Sequence, residues 1–103
     1  MQHNTLIIVS EKEIQNCFEG DKAKEILFDR IIEKDFILFF KEKGSLQYYP
    51  TFAKPFFKAK IEDGILIKGV EGSKTLRIIF NGEAEKSYNL FLKYLSEYNN
   101  RMR

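Results

Sequence analysis

Alternation of apolar and polar side chains is strongest between Phe56 and Phe80, in the run FFKAKIEDGILIKGVEGSKTLRIIF. Successive residues of a strand point to opposite faces. An extended run over 56–70 therefore puts Phe57, Ala59, Ile61, Ile65 and Ile67 on one face and Lys58, Lys60 and Lys68 on the other. After a turn at Val70-Glu71-Gly72-Ser73, a second strand divides likewise, Leu76, Ile78 and Phe80 against Thr75, Arg77 and Ile79. Lys74, at the start of that strand, is the exception. A sheet with one apolar and one cationic face buries the first and leaves the second free for an anionic partner.

The flanking patterns predict helices and one further strand. Thr5 to Val9 is a short apolar strand or a hydrophobic lead-in, and Ser10-Glu11-Lys12-Glu13 has the form of a capping box, which predicts a helix start. Ile14, Cys17 and Phe18 have helical spacing; Gly20 interrupts, and Ala23, Ile26, Leu27 and Ile31 resume it, predicting two short helices or one broken helix. Residues 36–43, FILFFKEK, read as a strand with Phe36, Leu38 and Phe40 on one face and Ile37, Phe39, Lys41 and Lys43 on the other. Both prolines fall in 44–55, which reads as a loop whose Tyr48, Tyr49 and Phe52 fold back onto the core, with base stacking or a partner contact as the minority reading. Asn81 caps a last helix with an apolar stripe at Ala84, Tyr88, Phe91, Leu92, Leu95 and Tyr98. The predicted class is α+β, an antiparallel sheet with helices packed on one face and the other face basic.

Composition narrows this picture without redirecting it. A chain of 103 residues is one domain, 1–103, and its 44% hydrophobic content with ten Phe and five Tyr is that of a folded globule. The net charge of +2 is only mildly basic, so any positive site has to come from arrangement. With Cys17 as the sole cysteine no intrachain disulfide can form, and the apolar runs are too short for a bilayer span or a signal segment; both point to a soluble protein of the cytoplasm.

Catalytic chemistry finds no footing. His3 lies near the terminus and Cys17 on an apolar stripe, so the two do not make a nucleophilic pair, and no set of metal ligands or cofactor motif is present. Gly69-Val70-Glu71-Gly72 joins two strands and lacks the Lys-Ser/Thr that follows a phosphate loop, which makes it a hairpin turn. The expectation is a protein that is not an enzyme and uses no cofactor.

The stretch 65–99, ILIKGVEGSKTLRIIFNGEAEKSYNLFLKYLSEYN, together with FILFFKEKG at 36–44 and IIVSEKE at 7–13, resembles the Alu-binding protein family of the eukaryotic signal recognition particle, on the side of its fourteen-kilodalton subunit. The resemblance covers about half of the chain. It implies an α-β-β-β-α fold, pairing with a nine-kilodalton partner subunit or a homodimer in its absence, binding to the structured RNA of the particle, and a part in translation elongation arrest during protein targeting, with the ribosome contacted indirectly and no membrane insertion. Carried onto this chain, the RNA-binding face would comprise Lys41, Lys43, Lys58, Lys60, Lys68 and Arg77. The chain departs from the family at Gly20, at the extra strand pattern over 56–61, and in a basic tail reduced to Arg101 and Arg103.

Two other readings stay open on the same residues. The lysines are also what the solvated side of an antiparallel sheet can carry. A small pleckstrin-homology-like or other α+β interaction module, including a phage or immunity inhibitor protein, would use the same strands closed by the C-terminal helix. The near absence of Thr, Ser and acidic residues among the lysines favours an anionic partner.

Overall fold

In the computed structural model, residues 5–15, 22–61, 64–80 and 84–102 are described. Six strands, β1 (Ile8–Gln15), β2 (Lys22–Phe28), β3 (Gly44–Tyr48), β4 (Phe56–Ile61), β5 (Ile65–Val70) and β6 (Thr75–Phe80), form one sheet in the order β1-β2-β6-β5-β4-β3. Every neighbouring pair is antiparallel. Helix α1 (Lys34–Phe39), continued by a 3-10 turn over Phe40–Glu42, and helix α2 (Ala84–Arg101) both pack on one face.

This overturns the expected α-β-β-β-α order of three strands. Among the described residues strand outweighs helix, 44% against 32%, and the sheet has six strands. The Ser10 capping-box pattern lies inside β1, and the residues read as a resumed helix, Ala23, Ile26 and Leu27, lie in β2. The local helix signals lose to cross-strand partners: Lys24 Nζ reaches the Glu11 carboxylate at 2.5 Å and Lys12 that of Glu25 at 3.5 Å. Those pairs need β1 and β2 side by side. Of residues 36–43, read as a strand, 36–42 are helical instead and Lys43 is a turn residue. Phe36, Ile37, Phe39 and Phe40 are buried while Leu38 is exposed, a pattern that wraps a helix and does not alternate. Tertiary packing overrides the β-propensity of the aromatic residues here.

The expected single extended strand over 56–70 is a hairpin, β4 and β5, with Ile61 directly opposite Ile65. Direct opposition keeps both residues on one face, so the assignment of faces survives although the chain reverses. Gly72, at φ 90°, supplies the left-handed backbone that the β5–β6 turn requires. The proposed cap at Asn81, Cys17 with its predicted burial, His3 and Gly20 lie outside the described residues.

The core is aromatic and sits between sheet and helices. Phe36 packs edge-on against Phe28, Phe40 and Tyr98, with ring centroids 4.9–5.8 Å apart. Ile26, Phe28, Phe57, Ala59, Ile61, Ile65, Ile67, Leu76, Ile78 and Phe80 close it from the sheet. On α2 the buried stripe runs through Phe91, Tyr94, Leu95 and Tyr98, so the predicted helix is present and its predicted face is the one it buries. Asn99, also buried, holds the leading segment: its side-chain oxygen accepts from the Leu6 N–H at 2.9 Å and its amide donates to the Leu6 carbonyl at 3.0 Å.

With both helices on one side, no described helix covers the other face of the sheet, which is exposed at Lys58, Lys60, Lys68 and Arg77 and buried at Ala23 and Ile79. The register assigns its residues, and two lateral rows cross most or all of the strands. The first is Gln47–Lys58–Lys68–Arg77–Glu25–Lys12, from β3 across to β1, and the second is Ser45–Lys60–Leu66–Ile79–Ala23–Ile14.

Candidate anion-binding face of the sheet

Lys58, Lys68 and Arg77 stand directly opposite one another on β4, β5 and β6. Neighbouring strands lie about 4.8 Å apart, which sets the three cations side by side over roughly 10 Å. Like charges in direct cross-strand opposition destabilise a sheet. Among the described residues none of the three forms an ion pair, and the one carboxylate in their row, Glu25, is paired outward with Lys12. Lys60, two residues from Lys58 on the same face, is also without an ion pair among the described residues.

Charge is therefore segregated in the fold. On the strands the open face carries Lys12, Lys58, Lys60, Lys68 and Arg77 against Glu25 alone, in a chain whose whole net charge is only +2. Away from this face, Glu11, Glu42 and Glu97 are paired with Lys24, Arg101 and Lys43. Glu11 accepts from Lys24 and from the Tyr88 hydroxyl, and these two hydrogen bonds hold its carboxyl below the usual range. Glu42 makes a two-point pair with Arg101 at 2.8 and 2.9 Å.

Two hollows open on this face. The larger, about 470 Å³, is lined by Lys58, Lys68, Arg77 and Glu25, by the hydroxyl-bearing Ser73 and Thr75, and by the apolar Phe56 and Val70. A second, about 400 Å³, lies between Ser45, Gln47, Lys58, Lys60 and Leu66. Lys58 borders both. The Ser73 hydroxyl is 3.0 Å from that of Thr75 and accepts from the Thr75 N–H, which fixes the rim where the β5–β6 turn enters β6.

The connection from β3 carries Tyr49 and Phe52, and β4 opens with Phe56. The expectation that this loop folds its aromatics into the core holds in part for Tyr48, which is half-buried on the helix face and donates its hydroxyl to the Glu71 carboxylate. That bond to an anion pushes the Tyr48 phenol up to about 12. Tyr49 and Phe52 do not fold in. They pack against each other and against Phe56 and remain 37%, 51% and 39% exposed, respectively, for Tyr49, Phe52 and Phe56.

Four of the six cations assigned from the sequence, Lys58, Lys60, Lys68 and Arg77, thus converge on one face. Lys41 and Lys43 do not join them. Their segment is helical rather than a strand, so Lys41 lies exposed in the 3-10 turn and Lys43 points to α2. There Lys43 pairs with Glu97 at 2.7 Å and sits over the rings of Phe39 and Tyr94, at 5.3 and 5.1 Å. Phe56 was missed, although its parity with Lys58 placed it on the cationic face. Lys12 and Glu25 were missed because their segments read as helices.

No protein-family model matches the chain, and neither does any curated protein or solved structure. Among the described residues no helix is long and apolar enough to cross a membrane, and no cluster of His, Cys, Asp and Glu could hold a metal ion.

Proposed function

We propose that the chain is a noncatalytic RNA-binding module whose open sheet face holds phosphates. One observation carries this reading: the row Lys58–Lys68–Arg77, three cations in direct opposition with no carboxylate partner among the described residues. A face selected only for solubility would intersperse the signs, because that avoids the repulsion. An anionic ligand along the row relieves the repulsion on binding, and phosphate groups spaced along a flexible chain match a row of separated point charges. Phosphate contacts give affinity and register without reading base sequence.

The particle-specific part of the expectation, an Alu-domain subunit with a nine-kilodalton partner, leaned on the α-β-β-β-α order. The proposal keeps the RNA and omits the particle. The basic face rests on strand alternation and not on that order, and Lys58, Lys60, Lys68 and Arg77 share it.

The test joins stability to binding in one substitution. Lys68→Glu places a carboxylate between Lys58 and Arg77, turning two repulsive oppositions into attractive ones. It should raise folding stability by about 0.5–1 kcal/mol, the scale of cross-strand charge pairs, while abolishing the binding of fragmented total RNA in a gel-shift assay. A variant that is stabilised and still binds RNA as the parent does would refute the proposal.

A further inference from the structure

From Tyr49, Phe52 and Phe56 beside the cationic row, we infer that the RNA is taken as a single strand, with an unstacked base laid on this aromatic platform and the adjoining phosphates on Lys58, Lys68 and Arg77. This rests on the RNA-binding reading and adds the state of the ligand. Large aromatics that pack together are normally withdrawn from water. Here Tyr49 and Phe52 stack at 5.3 Å with planes 22° apart, Tyr49 and Phe56 lie 4.7 Å apart, and all three stay more than a third exposed.

The platform is held in place by its backbone. The Tyr49 N–H donates to the Phe56 carbonyl at 3.0 Å, the Phe52 N–H to the Tyr49 carbonyl at 3.4 Å, and the Glu71 N–H to the Pro55 carbonyl at 2.8 Å. Pro50 and Pro55 bracket the loop and restrict it further. It is therefore a preformed surface, costing little ordering on binding.

Phe56 joins the two chemistries, because it belongs to the platform and also lines the hollow bounded by Lys58, Lys68 and Arg77. Along β4 it precedes Lys58 by two residues on the same face, a separation of about 7 Å. A ring surface and a cation that close together match the two parts of one nucleotide, the π face of its base and its phosphate. In a duplex the base faces are already stacked on their neighbours and only the phosphates are presented. An acidic peptide matches the charges but offers no planar group to the aromatic surface.

The experiment measures binding of the full chain to a short labelled oligouridylate, to a blunt RNA duplex of equal length, and to an oligoglutamate, by fluorescence anisotropy at fixed salt. The single strand should bind at least about tenfold more tightly than the duplex, and Tyr49→Ala and Phe52→Ala should each weaken it about tenfold, the scale of one base–aromatic stack. Phe52→Tyr should restore it, and neither alanine variant should change the dependence on salt. Equal binding of single strand and duplex, or alanine variants that bind as the parent does, would overturn the inference and leave the RNA-binding proposal standing, provided Lys68→Glu still abolishes binding. Failure of both RNA forms to bind, or tighter binding of oligoglutamate, would overturn the proposal together with the inference. Phe52 is half-exposed, so its substitution does not endanger the fold, and a thermal melt of each variant checks that point.

Discussion

At the scale of single residues, the fold depends on a few polar side chains placed where the backbone would otherwise be left unpaired. Asn99 is the clearest, because it satisfies both the N–H and the carbonyl of Leu6 beneath α2. Asn99→Leu fits the apolar surroundings but leaves both backbone groups buried without partners. It should cost about 2 kcal/mol, read as a lowered midpoint in urea unfolding; an unchanged midpoint would mean that the leading segment is not held this way. Glu11 gives a pH-dependent counterpart. Lys24 first, then Tyr88, keep its folded-state carboxyl below the ordinary value, so its contribution is complete above the unfolded value of about 4.3 and is lost as pH falls through the depressed one. Glu11→Gln should therefore be less stable than the parent at pH 7, by a margin that narrows as pH falls below about 4.3, in parallel denaturation curves. A deficit that persists undiminished at the acid end would assign the effect to packing.

At the scale of elements, what was legible depended on which physical signal dominated each segment. Alternation between Phe56 and Phe80 identified the faces of β4, β5 and β6 even though the β4–β5 reversal was read as continuous chain, since a hairpin with Ile61 opposite Ile65 preserves parity. The α2 stripe was legible because Phe91, Leu95 and Tyr98 repeat at helical spacing over the length of the element. β1 was not, since Ser10 and Glu13 fit a capping box locally and the ion pairs that make the segment a strand lie across the sheet. In α1, Phe36 and Phe39 favour strand by propensity, and the signal that decides for helix is the exposure of Leu38 between buried neighbours. Strand β3 was hidden in an expected loop, yet its first residue shows how closely it is fitted. A Cβ on Gly44 would stand 2.1 Å from the Lys60 carbonyl oxygen of β4. Gly44→Ala should push the two strands apart and cost about 2 kcal/mol or more, seen as a drop in melting temperature with faster hydrogen exchange confined to β3 and β4. A melting temperature equal to the parent's would show that the strands are not so closely apposed.

At the scale of the whole molecule, the sheet separates two kinds of surface. One side holds the aromatic core under α1 and α2; on the other the cations are left to face one another. The site was half legible for this reason: parity alone could place Lys58, Lys60, Lys68 and Arg77 on a common face, but only the register could show three of them in one row and Lys43 withdrawn to Glu97. The aromatic platform depends on the path of the loop over 49–55, which no periodicity encodes.

Whether these cations hold phosphates is read from the salt dependence of binding to a single-stranded RNA. Four phosphate contacts predict a slope of log K against log salt of about −3. Lys58→Ala, Lys60→Ala, Lys68→Ala and Arg77→Ala should each reduce its magnitude by about 0.7, with melting temperatures within a few degrees of the parent, whereas Lys93→Ala, on the exposed side of α2, should leave it unchanged. A slope near zero in the parent, or one that Lys93→Ala reduces as much as Lys68→Ala does, would contradict the account.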